Sequence, residues 1–147
     1  MKTEPDRPSE ETQGAKGVGV IRLILVDDEE AYVNVLANRL GKRGFEVTKA
    51  CSGGEALQKL RHHEFDVAVL DLKMADMDGI EVLKIFKLMD PRMQVIMLTG
   101  HGSATACRQG LELGAFDYLM KPCELDALVE KIRQAFGKKQ RVMSGAS

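Results

Sequence analysis

The chain has 147 residues, of which 44% are hydrophobic and 29% are charged, and its formal net charge at pH 7 is −1. These values are typical of a globular protein with one core, because a chain of roughly 150 residues buries about two thirds of its unfolded surface. The near-zero net charge argues against nucleic-acid binding through a basic face. No apolar stretch approaches the roughly 20 residues that span a bilayer, so we expect no membrane segment.

The termini and the cysteines bear on the compartment. Residues 1–19 are rich in Glu, Pro, Gly and Lys and lack the apolar core of a secretory signal, so we predict a disordered N-terminal tail. Cys51, Cys107 and Cys123 are odd in number and lack Cys-x-x-Cys spacing. We interpret them as reduced thiols, which favours a cytoplasmic protein.

From Ile21 onward, apolar runs of strand length alternate with helical patterns. The predicted strands cover residues 21–26, 45–50, 66–70, 94–98 and 116–120. The predicted helices cover residues 29–43, 53–62, 78–89, 103–113 and 124–136. Gly44 and Gly114 stand where the first and fourth helices should end. The strand runs are almost wholly apolar, which indicates burial on both faces, as in a parallel sheet.

Five strand–helix units with short loops predict an α/β fold. We expect a doubly wound, five-stranded parallel sheet with helices on both faces, formed by residues 20–137. Residues 138–147 are basic and small, and they are predicted to form a flexible C-terminal tail.

Polar residues follow four of the predicted strands: Asp27 and Asp28, Asp71, Thr99, and Lys121. In open α/β sheets, ligands bind at the carboxyl ends of the strands, so these side chains are expected to converge. Carboxylates that lie so close together raise each other's pKa unless a cation joins them. Their oxygens suit Mg²⁺, and one carboxylate could accept a phosphoryl group covalently.

Four of these residues also have a purely structural interpretation. Asp27 and Asp28 could cap the first helix and interact with its dipole. Thr99 could be only a turn residue, and Lys121 could be a solvated lysine at a strand end. Their coincidence at four strand ends favours one shared site.

Together the motifs resemble the receiver domain of bacterial two-component response regulators. The matching segments, in order, are Val26-Asp27-Asp28, residues 66–71 with Met74 and Gly79, Leu98-Thr99, and residues 118–122. The amino-acid sequence at residues 98–103 and 114–118 most resembles that of receivers of the nitrogen-regulation type. The resemblance covers roughly residues 20–137 and implies a flavodoxin-like (βα)5 sandwich.

The resemblance implies a role for each residue of the site. Asp71 would be the phospho-acceptor. Asp28, Asp71 and the backbone carbonyl of Lys73 would ligate Mg²⁺, and Asp27 would contact the metal through water. Lys121 would pair with the acceptor and then with its phosphate.

The resemblance also implies a switch. Thr99 would move toward the phosphate, and Tyr118 would turn inward behind it. The peptide bond before Pro122 would be cis, as is usual in this family. The surface that changes would be the α4-β5-α5 face, formed by residues 104–113, 116–120 and 124–136.

The sequence departs from the family's usual pattern in two places. Ala75 stands where proline is frequent, which should reduce the rigidity of the loop. Gly100 stands where alanine is common, so we expect the phosphate to be open to water and short-lived. Lys73 and His101 occupy positions that border the phosphate in this family and should tune its lifetime.

The implied partners are a sensor histidine kinase or a phosphotransfer protein, and an unknown output protein. The resemblance also allows a homodimer through the α4-β5-α5 face, and it predicts neither direct nucleic-acid contact nor a membrane partner. The domain would be a signalling switch rather than an enzyme. A pseudo-receiver that acts without phosphorylation is the alternative. A phosphohydrolase of the haloacid-dehalogenase type is disfavoured, because its second acid is replaced by Lys73.

Overall fold

A computed structural model describes residues 19–100 and 104–145, in which five strands alternate with five helices. The strands are β1 (Arg22–Val26), β2 (Glu46–Ala50), β3 (Val67–Leu70), β4 (Gln94–Thr99) and β5 (Asp117–Met120). The helices are α1 (Glu30–Lys42), α2 (Gly53–His62), α3 (Gly79–Met89), α4 (Ala104–Glu112) and α5 (Leu125–Met143). None of these helices is long and apolar enough to cross a membrane. Of the predicted N-terminal tail, only Gly19 lies within the described residues.

All five strands are parallel and lie in the order β2-β1-β3-β4-β5. The predicted doubly wound fold is therefore confirmed. The strand order reverses between β1 and β3, the position at which such sheets bind ligands beyond the carboxyl ends of their strands. Val26 pairs with Leu70 in the last register position of these two strands, so the residues that follow them, Asp27 and Asp71, emerge side by side.

Alternating side chains of β1 supply two separate cores, one on each face of the sheet. Leu23 and Leu25 pack with α1 and α5, whereas Ile24 and Val26 pack with α2 and α3. All residues of β3 and β4 are buried. The edge strands differ from the prediction of burial on both faces, because β2 and β5 are partly exposed. An edge strand has a neighbour on one side only, which leaves room for exposed side chains.

The last helix differs from its prediction. It was expected to end at residue 136, before a flexible tail, but it continues to Met143. The cause is Lys139, which is only 5% exposed and donates to Asp66 Oδ1 at 2.7 Å. Asp66 also accepts hydrogen bonds from the backbone and the guanidinium of Arg22. This ion-pair network fastens the end of α5 to the amino edge of the sheet.

Candidate functional site

The sheet itself positions the two buried carboxylates. The backbone N–H of Asp27 donates to the Ala50 carbonyl at 3.1 Å, and that of Asp71 donates to the Val26 carbonyl at 2.9 Å. Both residues thus extend the hydrogen-bond ladder by one step beyond their strands. Their exposed fractions are 2% for Asp27 and 6% for Asp71.

Asp27, Asp28 and Asp71 form the carboxylate cluster, in which one oxygen from each residue lies within 4.8 Å of the others. Backbone amides hold all three side chains. Asp27 Oδ1 accepts from the Glu29 N–H at 3.0 Å, and Asp28 Oδ2 accepts from the Ala75 N–H at 2.8 Å. Asp71 Oδ1 accepts from the N–H of Lys73 at 3.3 Å. The convergence predicted from the strand ends is therefore present.

Lys121 brings a cation to this cluster from the carboxyl end of β5, which is an edge strand of the sheet. Its Nζ lies 2.5 Å from Asp27 Oδ2, 3.3 Å from Glu29 Oε1 and 3.9 Å from Asp71 Oδ2. The ammonium also lies over the Tyr32 ring, 4.5 Å from its centroid, within the range of a cation–π interaction. In this structure Lys121 is bound most closely by Asp27, and Asp71 is the more distant acid.

This environment raises the pKa of both Asp71 and Lys121, which disfavours the charged form of the acid and favours that of the lysine. Burial and the charge of Asp27 raise the pKa of Asp71 to about 6, although Lys121 partly offsets the effect. Burial lowers the pKa of Lys121, but hydrogen bonding and attraction from Asp27 outweigh it, so the net shift is upward. Lys121 is therefore charged at neutral pH, and the Asp71 carboxylate carries an unfavourable negative charge that a further cation would stabilise.

The donor set fits a magnesium ion. Three carboxylates offer hard oxygen ligands, and Mg²⁺ in proteins is commonly held by one or two carboxylates together with several waters. An open cleft of about 460 Å³ borders the cluster and is lined by Asp28, Leu72, Lys73, Met74, Ala75 and Asp78. This space can hold the waters and the phosphate oxygens that would complete such a site.

The other predicted site residues lie at the neighbouring strand ends. Thr99 is buried at the end of β4, and its carbonyl accepts from the Lys121 N–H at 2.8 Å. Tyr118 lies on β5 and is 37% exposed. The Lys121–Pro122 bond is cis, as the resemblance predicts. His101 lies outside the described residues.

Known proteins resemble this chain over most of its length. The family model of the response regulator receiver domain matches residues 23–133. The chain belongs to the response regulator receiver family. It is 36% identical over 117 residues to the transcriptional regulatory protein ZraR of Salmonella typhimurium, covering 80% of this chain and 26% of that protein. It is 37% identical over 113 residues to GlrR of Escherichia coli, covering 77% of this chain and 26% of that protein.

A solved receiver has the same fold. The crystal structure of the CheY-like receiver domain protein from Methanospirillum hungatei JF-1 superimposes with a TM-score of 0.81 at 33% identity, covering 84% of this chain and 98% of that one. The prediction of a receiver domain is thereby confirmed, and so is its resemblance to receivers of the nitrogen-regulation type. The chain spans about a quarter of the length of the curated relatives that it matches.

Sequence reasoning missed two residues of this receiver site. Glu29 binds the Lys121 ammonium, and Tyr32 supplies the ring beneath it. Glu29 was recognisable as a third acid directly after Asp27 and Asp28. Tyr32 gave no such signal, because an aromatic residue on an amphipathic helix is usually part of the core.

The raised pKa of Asp71 predicts that Asp71→Asn stabilises the metal-free protein. The pKa of the Asp71 carboxyl is about 6 in the folded protein, against an ordinary value of 3.8. Between these two pH values the folded wild type binds more protons than the unfolded chain, so its stability falls as the pH rises from 3.8 to about 6. The gain for Asp71→Asn should reach at most about 3 kcal/mol above pH 6, since each pKa unit corresponds to about 1.4 kcal/mol. Urea unfolding with EDTA present at pH 7.5 and pH 4.5 measures it. An equal gain at both values would contradict the electrostatic cause.

Proposed function

We propose that this receiver accepts a phosphoryl group on Asp71 from a sensor histidine kinase or a phosphotransfer protein. The observation that carries the proposal is the buried Asp71 carboxylate, which has two further acids within 4.8 Å and the Lys121 ammonium at 3.9 Å. The Asp71 carboxylate therefore lies between a candidate cation site and the positive charge of Lys121. Phosphoryl transfer depends mainly on such positioning and charge neutralisation.

In the proposed reaction, an oxygen of Asp71 attacks the phosphorus of the donor. An oxygen–phosphorus bond forms, and the phosphorus–nitrogen bond to the donor histidine breaks, which returns the electron pair to the imidazole. Mg²⁺ bound by Asp28, Asp71 and the Lys73 backbone carbonyl, with Asp27 contacting it through water, would supply positive charge beside the phosphoryl oxygens. Lys121 needs to shift only from Asp27 toward Asp71 to pair with the new phosphate.

The phosphate adds about −1.5 to −2 charges at a buried position, which gives the switch its driving force. A hydrogen bond from Thr99 and the ion pair with Lys121 favour a state in which the β4–α4 loop moves inward and Tyr118 follows. The proposed output surface is the α4-β5-α5 face. Three of its large apolar side chains are more than a third exposed, namely Leu111, Tyr118 and Met120.

The family and the cysteines support a class of partner and a compartment for this switch. Receivers act with histidine kinases or phosphotransfer proteins, and the matched relatives are named as transcriptional regulatory proteins. We place the receiver in the cytoplasm, in keeping with its three free cysteines. The output partner, and a homodimer through the α4-β5-α5 face, belong to the same proposal.

Labelling with a small acyl phosphate in the presence of Mg²⁺ tests the function. Intact-protein mass spectrometry should show one added phosphoryl group on the wild type and none on Asp71→Asn, and EDTA should abolish the label. Wild-type protein that binds Mg²⁺ and stays unlabelled would favour the pseudo-receiver.

The glycine at position 100 should shorten the life of the phosphorylated state. A Cβ placed on Gly100 would lie 3.8 Å from both Cβ and Cδ of Lys121, which is an ordinary contact, so Gly100→Ala should fold normally. The added methyl group would exclude water near the phosphate and extend its lifetime by roughly two- to tenfold, at most about 1.4 kcal/mol on the barrier. Loss of label after removal of the phosphodonor gives the rate. An equal or faster loss would contradict this role, and Lys73→Ala tests the other described tuning position.

A further inference from the structure

The acceptor loop, residues 71–78, carries Asp71 into α3, and the inference drawn from it rests on the function proposed above. Near its base the loop is closed by a bridge between Lys73 and Asp78 and by a hydrogen bond from the Gly79 N–H to the Leu72 carbonyl at 3.0 Å. Residues 74–77 form the tip beyond this bridge. The tip residues Ala75 and Asp76 are exposed, so burial does not fix their position.

Asp76 ties the tip to a different helix. Its Oδ1 accepts from the Gly53 N–H at 3.0 Å, and its Oδ2 accepts from the Gly54 N–H at 3.0 Å. These are the first two residues of α2, whose free amides and dipole favour a negative charge. The two hydrogen bonds lower the pKa of Asp76 despite a small opposing effect of burial, so the carboxylate is charged at neutral pH.

A close packing contact accompanies these hydrogen bonds. A Cβ on Gly53 would lie 2.9 Å from Met77 Sδ and 3.0 Å from Val82 Cγ2, so only glycine permits the present approach. Met77 thus packs against the start of α2 directly beside the Asp76 contact. Two hydrogen bonds and a tight apolar contact therefore hold the tip of the loop against the start of α2.

The anchored loop in turn holds the carboxylate cluster. The Ala75 N–H donates to Asp28 Oδ2 at 2.8 Å, and the Lys73 N–H donates to Asp71 Oδ1 at 3.3 Å. Two of the three carboxylates therefore take their orientation from this one loop. Asp28 depends on it most, because Asp28 is the exposed member of the cluster.

We infer that Asp76 is a positioning residue, which fixes the acceptor loop on the amino end of α2 and so holds Asp28 and Asp71 in the arrangement that binds Mg²⁺. Ala75 gives the loop no proline ring to restrict it, and the anchor supplies that restraint from outside the loop. The contact also joins α2 mechanically to the site of phosphorylation. Loosening the anchor should weaken metal binding without removing any ligand.

The test compares Asp76→Ala with Ser52→Ala, a matched control at the same helix end. Ser52 Oγ caps α2 by accepting from the Glu55 N–H at 3.0 Å, and within the described residues it forms no hydrogen bond with the loop. Mg²⁺ affinity is measured by calorimetric titration without phosphodonor, and hydrogen exchange follows the Gly53 and Gly54 amides. Loss of an outer partner of a metal ligand typically weakens binding by about 10- to 100-fold, and Asp76 acts one contact further away, so we expect roughly three- to tenfold.

The expected result is weaker Mg²⁺ binding and faster exchange of both amides in Asp76→Ala, with wild-type Mg²⁺ affinity in Ser52→Ala. Asp76→Asn retains one acceptor oxygen and should fall between, which guards against misfolding of the alanine variant. Unchanged affinity in both Asp76 variants, or equal weakening in Ser52→Ala, would overturn the positioning role. Absence of Mg²⁺ binding by the wild type would instead contradict the proposed function, and this inference with it.

Discussion

Gly79→Ala should cost the domain about 3 kcal/mol or more of its unfolding free energy. A Cβ at this position would lie 2.4 Å from the Leu72 Cα and 2.7 Å from the carbonyl oxygens of Asp71 and Leu72. All three are backbone atoms of the acceptor loop, so no flexible side chain can move aside. Overpacking a close contact typically costs about 1–3 kcal/mol, and a collision between two backbone segments belongs at the upper end or beyond.

Urea unfolding in EDTA measures this effect, and Gly137→Ala is its control. Gly137 is also helical, but a Cβ there would meet only the Arg141 Nη1 at 3.6 Å. Alanine at this position should therefore be neutral or stabilise α5 by at most about 1 kcal/mol. If Gly79→Ala unfolded at the same urea concentration as the wild type, the close approach of α3 to the acceptor loop would be wrong.

Asp66→Ala should destabilise the protein by roughly 3–5 kcal/mol, because it leaves a buried ammonium without its carboxylate. Lys139 is 5% exposed, and its remaining hydrogen bond among the described residues would be to the Phe65 carbonyl at 3.5 Å. Burial raises the pKa of Asp66, but hydrogen bonds from Arg22 and Lys139 together lower it below 3.8. The carboxylate's contribution is therefore complete above pH 3.8 and is lost as the pH falls below that value.

The opposite member of the pair should matter less. Lys139→Met replaces the ammonium by an apolar chain of similar length and leaves Asp66 bound to the Arg22 N–H at 2.8 Å and to its guanidinium at 3.2 Å. We expect a loss of about 1 kcal/mol or less, and Asp66→Ala combined with Lys139→Met should recover much of the Asp66→Ala loss. Urea unfolding at pH 7 of the two single variants and the double variant measures the asymmetry. Equal losses for both single variants would contradict it.

The regular part of the fold was predictable, because local pattern and global packing agree. The apolar runs of β1, β3 and β4 are buried, and Gly44 and Gly114, placed at helix ends, have positive φ. The end of α5 was not predictable in the same way. Lys139 lies in a run of charged residues that looks solvated, and its burial depends on Asp66, far away in the sequence.

In the candidate site, too, the residues at the strand ends were predictable and the partners that hold them were not. Asp27, Asp28, Asp71 and Lys121 were placed together by a general rule, since parallel strands end at one edge of the sheet. The partners that hold them were not, because each contact joins side chain and backbone across different units. Asp76 illustrates this, as its role depends on the start of α2 lying beside the tip of the acceptor loop.

The position of the phosphoryl group is the most direct test of the central claim. Wild-type protein is phosphorylated with a small acyl phosphate and Mg²⁺, then digested, and the modified residue is identified by tandem mass spectrometry. We predict one phosphoryl group per chain, on Asp71, with Asp27→Asn and Asp28→Asn labelled more slowly at the same residue. A label on Asp27 or Asp28, or labelling of Asp71→Asn at the wild-type rate, would contradict the assignment of Asp71 as the acceptor.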